Sequence, residues 1–125
     1  MSESNNAPIP DSPATSREKR FKKSSLTYLS SLLGIVGEIN RLKILATLHG
    51  GRRMSVQGLA HHSEGNPSVV SRHLKLLRTS GIVEWIPIQD EDLRICHHRL
   101  KPGSEETDAN GQRWINLGKV KICLD

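Results

Sequence analysis

Apolar positions recur along this chain at two different periods, and the change of period divides it. Leu26, Leu29, Leu33 and Val36 fall three and then four residues apart, which is helical, and Leu32 and Ile35 widen that stripe beyond a single face. A second helix is predicted from about Glu38 to Leu48, with Leu42, Ile44, Leu45 and Leu48 inward and Gly50-Gly51 as its stop. Ser55 suits the cap of a short third helix through Val56, Leu59 and Ala60, closed by a turn at Ser63-Glu64-Gly65. The strongest local signal comes next. Asn66 offers a side-chain oxygen to the free amides of a first helical turn, while Pro67 has no amide to lose there and a φ already suited to it. The fourth helix carries Val70, Leu74 and Leu77 on one face and Ser68, Ser71, Arg72, Lys75 and Arg78 on others, and it ends at Gly81.

Past Gly81 the pattern turns to strands. Ile82 to Ile88 and Leu93 to Leu100 flank the turn Gln89-Asp90-Glu91-Asp92, which makes a hairpin. Lys101 to Gln112, rich in Gly, Ser, Glu and Asp, reads as a flexible connection, and Val120, Ile122 and Leu124 alternate with polar neighbours as a last strand. Met1 to Ser16 has little to bury and reads as a disordered tail. The expected plan is a tail over 1–16, a domain over 17–101, and a linker with a strand over 102–125. On that plan, replacing Leu29 and Leu33 by Asp yields a monomer, whereas removing Gly103 to Asp125 weakens the dimer less. The expected fold class is mainly α with a small β-hairpin wing, an α+β winged helix-turn-helix, since two short helices, a turn and a hairpin in this order are its parts.

Composition narrows the function. The 125 residues carry 18 Lys and Arg against 13 Asp and Glu, a net charge of +5, which favours a polyanionic partner. Only 3% are aromatic, so a broad apolar ligand cavity walled by rings is not expected. Two cysteines do not make a disulfide scaffold and point to a reducing compartment. With no apolar run of about 20 residues and no signal-peptide pattern, a cytoplasmic protein without a membrane partner is expected. Enzyme motifs are missing: no G-x-S-x-G, no phosphate-cradling glycine loop and no H-E-x-x-H.

The fourth helix is where chemistry concentrates. A helix fits the major groove of DNA, and its first turn offers amides and side chains to bases and phosphates. Ser68 and Ser71 are short enough for close approach, Arg72 can present a bidentate fork to guanine, and Lys75 and Arg78 suit phosphates. The acidic wing tip repels phosphates, so a wing contact is expected from Arg94 or Arg99. The basic run Arg17 to Lys23 either reaches flanking phosphates or solvates a helix start. Leu26, Leu29, Leu33 and Val36 form a seam suited to a second copy, so a homodimer is expected.

These residues resemble the ArsR-type family of bacterial winged-helix repressors between about Leu33 and Leu100. Arg41-Leu42-Lys43-Ile44-Leu45 looks like its R-x-x-I-L helix, and Ser71-Arg72-His73-Leu74-Lys75-Leu76-Leu77, followed by Ser80-Gly81-Ile82-Val83, resembles its S-x-H-L-x-x-L recognition helix. The resemblance implies a homodimeric, operator-binding regulator that usually represses transcription and often releases DNA on sensing a metal or redox change. The third helix here lacks the family's thiolates, the closing helix is replaced by a strand, and Glu38-Ile39 stands where an Asp-Pro pair is common, which weakens that helix start. No metal site and no cofactor are therefore expected. Cys96 reads as a small buried residue, His73 as a helix-packing histidine that hydrogen bonds, and Trp85 and Trp114 as packing residues under the wing and tail. Two other readings stay open: a metal- or thiol-responsive sensor using Cys96 and His98, and a winged-helix module that binds protein without DNA.

Overall fold

The computed structural model describes residues 13–63, 65–87 and 96–125, and of residues 13–24 and 87 the backbone alone. Four helices and six short strands follow in order: α1 Pro13–Val36, α2 Ile39–Leu48, β1 Met54–Ser55, α3 Val56–Ser63, α4 Pro67–Thr79, β2 Val83–Pro87, β3 Cys96–Leu100, β4 Glu105–Thr107, β5 Arg113–Asn116 and β6 Lys121–Cys123. The described residues up to Ser31 and those from Leu32 onward form separate compact units. Because α1 begins at Pro13, the expected tail of 1–16 is shorter than predicted at its C-terminal side, and 1–12 lie outside the described residues.

The helix ends follow from side chains close in sequence. Glu38 caps α2, its carboxylate accepting from the Arg41 amide at 2.9 Å. That bond lowers the Glu38 pKa and supplies the start that the missing Asp-Pro pair left in question. Ser55 Oγ accepts from the Gly58 amide at 3.0 Å and opens α3, and Asn66 Oδ1 accepts from the Ser68 amide at 2.8 Å with Pro67 at the first position of α4. At the other end of α4 the Ile82 amide reaches Leu77 O and the Gly81 amide reaches Arg78 O, both at 2.9 Å. Gly81 has φ +78°, a left-handed turn that a side chain disfavours, so the glycine lets the chain leave the helix and enter β2.

Both sheets are antiparallel and three-stranded, in the orders β1-β3-β2 and β4-β5-β6. The first contains the expected hairpin, Val83 opposite Leu100 and Trp85 opposite His98; its tip, 88–95, including Arg94 and the acidic turn, lies outside the described residues. The second corrects the sequence reading, because 102–125 is a folded sheet and not a linker with one strand. Ile115, on its central strand, has no exposure and joins Leu45, Leu48, Leu74, Leu77 and Leu100 in one core, with Leu117, Val120, Ile122 and Leu124 packed against it. Polar bonds tie the same sheet to the end of α2. His49 Nε2 donates to the carbonyls of Trp114 and Glu106 at 3.1 and 3.3 Å, Arg113 Nη1 donates to Ala46 O, and the Gly50 and Gly51 amides meet the Glu105 carboxylate at 2.7 and 3.0 Å. The segment looks loose in sequence because its polar residues serve turns: Asp108 accepts from the Asn110 and Gln112 amides and from Trp114 Nε1. Losing Gly103 to Asp125 therefore opens the core.

Candidate nucleic-acid interface

Helix α4 is strongly two-sided. Val70, Leu74 and Leu77 are buried at 5%, 0% and 0% exposure, and they hold the helix while Ser68, Ser71, Arg72 and Lys75 stand in solvent. These four side chains thus lie on a helix fixed from behind. Arg41 secures the other flank. Its Nε donates to Ile35 O at 2.6 Å and its Nη1 to His73 Nδ1 at 3.1 Å, so one guanidinium joins the end of α1 to the recognition helix, and His73 is the hydrogen-bonding histidine expected.

Arg78 stands apart from the other basic residues of α4. Its Nη1 donates to His98 Nε2 at 3.2 Å, and its guanidinium lies 4.6 Å from the centroid of the Trp85 ring. That guanidinium is engaged within the domain and is not a free phosphate ligand. Trp85 corrects the expectation of a packing residue: it is 56% exposed, with the Arg78 guanidinium over its ring. Arg99 is likewise engaged, its Nε and Nη2 donating to Glu84 Oε2 at 2.8 and 2.7 Å across the β2–β3 pair, so it is not an unpaired wing cation. The basic run Arg17 to Lys23 has its side chains outside the described residues.

The cysteine expectation is corrected too. Cys96 is exposed, and His98, two residues along the same strand, is 1% exposed and turned to the core. Among the described residues no group of three or more His, Cys, Asp or Glu side chains is placed to hold a metal ion. No described helix is long and apolar enough to cross a membrane.

Of the expected dimer seam, Leu26 and Leu33 are exposed at 67% and 47%, with Tyr28 at 48%, and Leu29 is half-buried. Val36 and Leu32 are core residues at 4% and 2%, so they belong to the domain interior and not to an open seam. Two apolar side chains on the outer side of α4, Val69 and Leu76, escaped the sequence reading, since their positions break the helix's inward period.

A recognition helix braced by α2 and α3, with a hairpin beside it, defines a winged helix-turn-helix, the fold of DNA-binding regulators of transcription. Over residues 39–84 the chain matches the model of the arsR family of bacterial regulatory proteins. The fold is similar to that of reduced HlyU from Vibrio cholerae N16961, with 26% identity over 68% of this chain and 83% of that one and a TM-score of 0.53. It is similar to the transcriptional regulator HlyU from Vibrio vulnificus CMCP6, with 26% identity, 70% and 84% coverage and a TM-score of 0.51. NolR from Sinorhizobium fredii shares the fold at 24% identity, 78% and 85% coverage and a TM-score of 0.57. No curated protein matches the chain.

Proposed function

We propose that the chain is a sequence-specific, homodimeric repressor that reads duplex DNA through α4. The observation that carries this reading is the exposed row of Ser68, Ser71, Arg72 and Lys75 on a helix whose opposite face is wholly buried. Arg72, in the second turn, is the reader of a base edge, while Ser68, Ser71 and Lys75 hold the backbone of the duplex. Arg94 remains the proposed wing contact, and Arg78 contributes through the wing base and not as a free phosphate ligand. A helix of thirteen residues spans few base pairs, so specificity calls for two copies with their recognition helices about 34 to 36 Å apart on a palindromic site. The exposed Leu26 and Leu33, with Leu29 between them, supply the apolar surface for that pairing.

The test is a fluorescence-anisotropy titration on duplexes selected by the parent protein from a random pool. Arg72→Ala is expected to lose about 1 to 3 kcal/mol and to relax preference at one position, and Lys75→Ala to weaken all sequences alike and to lower the salt slope by about one. If the parent recovers no preferred duplex, or if both variants bind as the parent does, the reading fails. A partner protein captured by the same face of α4 would then favour an interaction module. Repression itself is checked with a reporter placed downstream of the selected site.

A further inference from the structure

His98 is buried at 1% exposure in the middle strand of the first sheet, with Met54 of β1 on one side and Trp85 of β2 on the other, all three on the face that meets α4. Arg78 crosses from the last turn of α4 and reaches this row: Nη1 on His98 Nε2, guanidinium over Trp85. Because a guanidinium only donates, Nε2 must be the unprotonated nitrogen, and the ring proton sits on Nδ1, beside the Met54 backbone but without a well-formed bond to it. A neutral ring thus binds Arg78, and a charged ring has nothing to offer it.

We infer that His98 is a positioning residue for DNA binding: by accepting from Arg78 it pins the wing strand β3 to the end of the recognition helix and holds the guanidinium over Trp85 of β2, and protonation of the ring undoes that bracket. The role rests on the DNA-binding reading above. The surroundings favour the neutral ring. Burial lowers the His98 pKa below the ordinary histidine value, and the Arg78 charge lowers it further. The other elements add little to oppose this. The buried side chains of α2 and α3 are apolar, β1 offers the Met54 backbone, and β2 faces the ring with uncharged Trp85. On β3 itself, His97 and the Arg99–Glu84 pair alternate onto the opposite face, and His97 lowers the His98 pKa slightly more. Protonation therefore sets in below the ordinary histidine range and places two cations in contact.

The test measures affinity for one selected duplex at fixed salt, at about pH 7.5 and about pH 5.5, for the parent, His98→Gln and Trp85→Leu, with far-ultraviolet circular dichroism at each pH. Gln keeps an acceptor for Arg78 and does not titrate. All other ionisable side chains are common to the variants compared, so the informative quantity is each protein's acid-to-neutral ratio relative to His98→Gln. At neutral pH His98→Gln is expected to match the parent within about twofold. In acid the parent is expected to fall about fivefold relative to it, the lower end of ordinary coupling between two ligands. Trp85→Leu, at an exposed position that tolerates change, is expected to weaken binding at both pH values; it decides the matter together with Arg78→Lys if His98→Gln does not fold. Equal pH profiles for parent and His98→Gln, or full affinity in Trp85→Leu and Arg78→Lys, overturn this role alone. A parent that binds no duplex at either pH overturns the DNA reading and this role with it.

Discussion

Replacing Ile115 by Ala tests whether the second sheet is an integral part of the domain. Ile115 has no exposure, lies on the central strand of β4-β5-β6 and shares the core with Leu45, Leu48, Leu74 and Leu77. The substitution removes three carbon groups at about 0.8 kcal/mol each, or roughly 2.4 kcal/mol of transfer free energy. Strands on both sides limit collapse of the site, so a cavity contribution brings the expected loss to about 3 to 4 kcal/mol, within the usual range for Ile to Ala. Against a net stability of roughly 5 to 15 kcal/mol this is a large fraction. Urea unfolding followed by circular dichroism should show a lower midpoint with an unchanged slope, and the melting temperature should fall by about 12 °C or more. Lys119→Ala, on the exposed turn before β6, serves as control and should change stability by less than about 0.5 kcal/mol. A loss below about 1 kcal/mol for Ile115→Ala would show that this sheet only rests on the domain.

Asn66→Ala removes the cap of α4 and should cost about 1 kcal/mol in the same urea assay. Gly81→Ala forces a side chain into φ +78° and should cost about 1 kcal/mol or more, with no loss of buried contact to blame. Trp114 and the Asn110 and Gln112 amides lower the Asp108 pKa, and Arg113 lowers that of Asp125. Groups with depressed folded values add stability above their unfolded value of 3.8, and that stability is lost as pH falls through the folded values. The urea midpoint should thus drop as pH falls below the unfolded value of 3.8, less steeply in Asp108→Asn. Leu26→Asp with Leu33→Asp should give a monomer by sedimentation with poor operator affinity; a dimer of unchanged strength would place the interface elsewhere.

The helices were legible because each is bounded by residues that act locally. Asn66-Pro67, Ser55 and Gly81 fix ends through bonds within four residues, and Val70, Leu74 and Leu77 state a face by spacing alone. The exposed row of α4 follows from that face by subtraction. What escaped depends on residues far apart in sequence. Arg41 to His73 and Arg78 to His98 are separated by 32 and 20 positions, and nothing near either arginine distinguishes a structural guanidinium from one free for phosphate. Trp85 looked like core because tryptophan usually is, yet on β2 it is more than half exposed, with the Arg78 guanidinium over its ring. The second sheet was hidden for a different reason: its strands are three or four residues long, too short for a period of two to emerge from turn-forming neighbours.

The bonds between α2 and the second sheet also govern the order in which this chain can fold. His49 and Ala46 wait for partners 57 to 67 positions later, so the helical segment finishes synthesis well before the strands that seal it exist. Such distant pairing slows folding, because loop closure must precede any gain from contact. During that interval Leu45 and Leu48 lack their lid, and a growing chain presents an apolar surface of the kind chaperones hold. Cells short of chaperone capacity should then lose this regulator through its newly made copies, while molecules already completed persist.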